Sequence, residues 1–229
     1  MVVESGKPVD PSDPHAGETL LRHGAAPAEA DAVLVLLHGR GATAESILSL
    51  GAELALPTVA MLAPQAAGHT WYPHSFLAPL EANQPFLDSA LRRLESIVGD
   101  VVSHGVPGER IALLGFSQGA CLVCEYAARH PRRYGAVIAF TGGLIGPPGT
   151  AREYAGSLDG TPVFLGTSDP DPHVPFERVQ ETADVLGGMG GEIDVRRYRG
   201  MPHTINEEEV SAARELLERI IAGAQEGAP

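Results

Sequence analysis

The sequence predicts an α/β fold, a mostly parallel central sheet with helices on both faces. From Glu18 onward, short apolar or β-branched runs alternate with longer segments of helical spacing. Turn residues bound the runs, as expected of central strands covered on both faces. The 229 residues, 44% of them hydrophobic and 20% charged, are enough to build one large core without a second domain.

Strands are expected at 33–37, 59–62, 111–114, 136–140, 163–165 and 193–198. Helices are expected at 44–54, 86–104, 118–129, 176–189 and 206–222. Residues 1–16, rich in Pro, Asp, Ser and Gly and without apolar periodicity, read as a flexible N-terminal segment, which leaves 17–225 as a single domain. Two loops are long enough to suggest a role, 64–85 and 142–162. The first carries Trp71, Tyr72, Phe76 and Leu77, which can either wall a substrate pocket or plug the end of the sheet.

A formal net charge of -13 disfavours nucleic acid, anionic membrane surfaces and polyanionic substrates as partners, and favours neutral or apolar ones. The longest aliphatic run, 32–37, is too short to span a bilayer. The start of the chain shows no basic segment followed by an apolar stretch, so a cytoplasmic protein without integral membrane association is expected. The two cysteines, Cys121 and Cys124, form C-x-x-C inside an Ala-rich helical stretch, with no second pair to complete a metal site. They are expected to act as buried hydrophobes, not as a redox or metal centre.

The chemistry concentrates in Gly115-Phe116-Ser117-Gln118-Gly119, which lies directly between an apolar strand and a helix. A sharp strand-to-helix turn exposes the serine hydroxyl, and glycines on either side remove side chains that would collide. Ser117 is therefore the candidate nucleophile, with the Gln118 N–H at the helix start as one oxyanion donor. Arg40 N–H, in the Leu37-His38-Gly39-Arg40-Gly41 loop, is the candidate second donor, and its side chain is either a surface charge or a contact for a carboxylate-bearing substrate.

A serine hydroxyl needs a base, and His203 follows the last strand and precedes the last helix, in the serine–acid–histidine order of α/β-hydrolases. The other histidines, His38 among them, read as capping, packing or solvation, although His173 falls in the acid loop itself. For the acid, counting from the strand end selects Asp169, and counting back from Val174-Pro175 selects Asp171. The strand is the more rigid reference, so Asp169 is the expected acid and Asp171 the alternative.

With the Leu37-His38-Gly39-Arg40-Gly41 loop, Gly115-Phe116-Ser117-Gln118-Gly119-Ala120, the Asp169 loop with Val174-Pro175, and Gly200-Met201-Pro202-His203-Thr204-Ile205, the chain resembles the phospholipase/carboxylesterase family, which includes acyl-protein thioesterases. The resemblance implies the α/β-hydrolase fold without a large cap domain. It also implies a Ser–Asp–His triad that needs neither metal nor organic cofactor, acting on small-molecule carboxylic esters or thioesters. A homodimer is left open. Two extra residues in the acid loop and Pro202 in place of the usual glycine depart from the family pattern. Other readings are a lysophospholipase or thioesterase with the same triad, and a non-catalytic module binding a small apolar ligand on a hydrolase scaffold.

Overall fold

The computed structural model describes residues 10–54 and 56–226. Seven strands form one sheet: β1 (Leu20–Gly24), β2 (Ala32–Leu37), β3 (Val59–Pro64), β4 (Ile111–Phe116), β5 (Ala136–Phe140), β6 (Pro162–Asp169) and β7 (Glu192–Arg199). Their order is β1-β3-β2-β4-β5-β6-β7, all parallel except β1, which runs antiparallel to β3 at the edge. The six expected strands are all present. β1 is the addition: its half-exposed Leu-Leu-Arg-His-Gly has neither the apolar run nor the alternation that marks a strand in sequence.

Five helices cover the sheet: α1 (Ala44–Glu53), α2 (Phe86–Ser103), α3 (Gln118–Arg129), α4 (Phe176–Gly188) and α5 (Glu207–Glu226). Alternation along the strands sorts them by face. Val33, Val35, Leu37, Leu113, Val137 and Leu165 pack with α2, α3 and α4. Leu34, Leu36, Leu114, Ile138 and Phe164 pack with α1 and α5. Among the described residues, no helix is long and apolar enough to cross a membrane.

The chain steps outward from β2 to β3 and then returns to lay β4 on the other side of β2. The carboxyl ends of β2 and β4 therefore flank a topological switch point, where an open α/β sheet leaves a crevice for a ligand. The loops that follow β2, β4, β6 and β7 all open at this end.

Of the segment expected to be flexible, residues 1–9 lie outside the described residues; within 10–16, Pro14 and His15 are buried while Asp10, Pro11, Ser12 and Ala16 are exposed. His15 is fully buried. Its N–H donates to Ser89 Oγ at 2.9 Å, its Nδ1 accepts the Ala67 N–H at 3.0 Å, and its Nε2 donates to the Trp71 carbonyl at 3.0 Å. Polar, aperiodic composition concealed one anchoring side chain. His15 ties the chain start to α2 and to the loop after β3.

α5 begins with a reciprocal cap that also fixes the end of the His203 loop. Glu209 Oε2 accepts the Asn206 N–H at 2.9 Å, and Asn206 Oδ1 accepts the Glu209 N–H at 3.0 Å. Glu209 is fully buried, and its Oε1 has no hydrogen-bond partner among the described residues. Burial pushes its carboxyl up to about 7. A carboxyl raised in the folded state favours folding below its ordinary value and loses that advantage as pH rises through the folded value. Glu209→Gln keeps the cap and has no proton to lose. It is expected to exceed wild type in stability by about 2–3 kcal/mol near pH 8 and by little near pH 5, measured by urea denaturation.

Candidate active site

β4 ends in a turn whose geometry only its sequence permits. Ser117 sits at φ 54° and ψ −116°, a strained conformation for a residue with a side chain. A Cβ at Gly119 would overlap the Leu37 carbonyl at the end of β2, and one at Gly115 would overlap the Gly119 backbone. The two glycines thus let the first turn of α3 press against the sheet, and the Ser117 N–H is held by the Phe140 carbonyl at 2.9 Å. The side chain is left facing the crevice.

Three side chains from three strand ends line up there. His203, after β7, has Nε2 2.9 Å from Ser117 Oγ and Nδ1 2.7 Å from Asp171 Oδ2. Asp171 also accepts hydrogen bonds from Ser168 Oγ at 2.6 Å and from the N–H groups of His173 and Val174, both at 2.8 Å. Burial acts to raise the Asp171 carboxyl, but these bonds and the one to His203 outweigh it and hold the group below the usual carboxylate range. It stays ionised beside His203.

The expected acid, Asp169, is elsewhere: its carboxylate pairs with Arg197 at 2.6 Å. The count went astray because the strand outlasts its apolar run. β6 continues to Asp169, four residues beyond Leu165, so Asp169 belongs to the sheet ladder opposite Arg199 and Asp171 is the first acid of the loop proper.

The Gln118 N–H stands at the first position of α3, where no intrahelical acceptor exists. Across from it, the Arg40 N–H has no hydrogen-bond partner among the described residues. Its direction is set by His38. The Ala66 N–H donates to His38 Nε2 at 3.1 Å, so the ring proton is on Nδ1 and is donated to the Gly39 carbonyl at 2.7 Å. In a trans peptide the carbonyl and N–H oppose one another, so fixing the Gly39 carbonyl aims the Arg40 N–H the other way. Gly39 lies against Ser117: a Cβ there would be 3.5 Å from the serine Cβ. His38 thus has an orienting place in the site that sequence reading assigned to packing. Its buried polar ring beside a glycine loop was the available signal.

The side chains of Arg40 and Gln118 reach back to the loop after β3. Gln118 Nε2 donates to the Tyr72 carbonyl at 2.8 Å, and its Oε1 accepts the Trp71 N–H at 2.9 Å. Arg40 donates to the Pro73 carbonyl at 2.9 Å and the His74 carbonyl at 2.6 Å. The loop becomes a wall of a cleft of about 500 Å³. Tyr72 and Phe76 line it, as expected. Trp71 does not: it is fully buried behind the Arg40 loop, its Nε1–H donating to the His38 carbonyl at 2.8 Å. Leu77 is not among the lining residues either and packs, partly buried, on the core. A large apolar side chain in a loop answers to the sheet below as readily as to a substrate above.

Cys121 and Cys124 are buried free thiols on α3, both pushed up by burial, Cys121 to about 12. Among the described residues, no three His, Cys, Asp or Glu side chains are grouped to hold a metal.

The fold has counterparts in known proteins. The profile described as phospholipase/carboxylesterase matches residues 24–221. The crystal structure of a phospholipase/carboxylesterase from Dyadobacter fermentans superposes with a TM-score of 0.84 at 44% identity, covering 88% of this chain and 96% of that one. A probable carboxylesterase of Oryza sativa subsp. japonica is 25% identical over 152 residues, 65% of this chain. The acyl-protein thioesterase 1 of Yarrowia lipolytica is 24% identical over 209 residues, 83% of this chain and 92% of its own length. The chain spans 57% of the length of the rice relative and 60% of that of a yeast acyl-protein thioesterase 1. On the match to nearly its whole length, the chain belongs to the phospholipase/carboxylesterase family.

Proposed function

We propose that this protein is a serine hydrolase that cleaves carboxylic esters through an acyl-enzyme on Ser117. The observation that carries the reading is the continuous chain from Ser117 Oγ to His203 Nε2 at 2.9 Å and from His203 Nδ1 to Asp171 at 2.7 Å.

His203 takes the Ser117 proton as the oxygen attacks the substrate carbonyl carbon, and Asp171 holds the ring in the tautomer that leaves Nε2 free to accept. The carbonyl oxygen becomes an oxyanion between the N–H groups of Arg40 and Gln118, each worth about 3 kcal/mol of barrier. The tetrahedral species collapses, and the leaving alcohol departs with the proton from His203. Water then loses a proton to the same ring, attacks the acyl-enzyme, and releases the acid and Ser117 Oγ–H.

A thioester is the second reading, favoured by the acyl-protein thioesterase similarity across most of the chain. Only the leaving atom changes. Two free thiols side by side on α3 suit a reducing compartment, and we place the protein in the cytoplasm.

Turnover of p-nitrophenyl butyrate tests the roles. Ser117→Ala is expected to lower kcat by about 10⁴-fold or more. Asp171→Asn is expected to lower it about 10³–10⁴-fold by misplacing the His203 proton, and Asp169→Asn by less than about tenfold. A collapse in Asp169→Asn with Asp171→Asn active would reverse the acid assignment. A wild type inert on esters and thioesters alike would leave only ligand binding.

A further inference from the structure

The net charge of -13 leads one to expect a cleft indifferent or hostile to anions. The cleft itself has the opposite character. Its lining includes Arg40, His74, His173 and His203, and among the described residues no Asp or Glu lines it. Asp171, behind His203, is engaged by four hydrogen bonds, and Asp169 by Arg197.

Arg40 is the exposed fixed charge of this wall. Its guanidinium bonds only to uncharged oxygens, those of Thr70, Pro73 and His74, and it forms no ion pair among the described residues. Three neutral acceptors hold the group in place 6.0 Å from the Tyr72 ring centroid while leaving its charge uncompensated. The Arg40 guanidinium donates to the His74 backbone carbonyl, so His74 borders the cleft next to Arg40, and the His173 ring stands edge-on to His203 at 4.9 Å.

From this arrangement of donors and one uncompensated cation we infer that the substrate carries a carboxylate apart from its scissile ester or thioester, bound on the Arg40–His74 wall. The substrate is thus a half-ester of a short dicarboxylic acid or a close equivalent. This deepens the hydrolase reading and rests on it for the position of the scissile bond.

The test separates the two ideas. In the Ser117→Ala protein, which cannot turn substrate over, monomethyl glutarate is expected to bind at least about tenfold more tightly than dimethyl glutarate, followed by NMR titration. Added salt and the further changes Arg40→Met and His74→Gln are each expected to shrink that preference. Equal binding of the two esters, or a preference that survives Arg40→Met and His74→Gln together, overturns the inference. In wild type, mono-p-nitrophenyl glutarate is expected to exceed p-nitrophenyl butyrate in kcat/KM. Turnover of butyrate with no gain for glutarate refutes the carboxylate site and leaves the hydrolase standing. No turnover of either, with monomethyl glutarate still preferred, refutes the hydrolase reading and leaves the carboxylate site standing.

Discussion

Everything at the site depends on how closely the first turn of α3 approaches the end of β2. Gly119 meets the Leu37 carbonyl with no room for a side chain, and Gly115 gives way to Gly119 in turn. That approach forces Ser117 into its left-handed conformation, φ 54°, and the bond from its N–H to Phe140 holds it there. The strain is local; the surrounding strands, buried on both faces, are what sustain it. The same approach sets the Gln118 N–H, at the first turn of α3, beside the end of β2.

Around this point single residues serve twice. Arg40 and Gln118 offer backbone N–H groups to the crevice and use their side chains to hold the Trp71–His74 backbone as its wall. Behind them, His38, Trp71 and His15 form a buried cluster of tilted rings, with centroids 5.0 Å apart for His38 and Trp71 and 5.5 Å for Trp71 and His15. Burial lowers both histidines below the ordinary imidazole range, which keeps the rings neutral and their hydrogen-bond directions fixed. His15, far in sequence from Ser117, is thus linked through Trp71 to the loop after β2.

Much of this was legible before any coordinates. Continuous apolar runs such as Ala32–Leu37 have one reading, because strands buried on both faces need no alternation. Ser117 and His203 follow strand ends, as the alternation of apolar runs and helical segments predicts. What escaped the sequence escaped for physical reasons. β1 is an edge strand whose pairing, not its composition, makes it a strand. Asp169 was preferred because the apolar run ends before the hydrogen-bonded ladder does. Trp71 and Leu77 take the second of the two places open to the loop's apolar residues, because a loop crossing the end of a sheet must also cover that sheet. The anchoring of 10–16 turns on one buried histidine in a polar stretch.

The most direct test of the activated serine is covalent. Wild type and Ser117→Ala are treated with a fluorophosphonate, digested and mapped by mass spectrometry. The account predicts one stoichiometric adduct on Ser117, formed slowly in His203→Gln and absent from Ser117→Ala. Wild type that stays unlabelled, or an adduct on another residue that persists in Ser117→Ala, would contradict it.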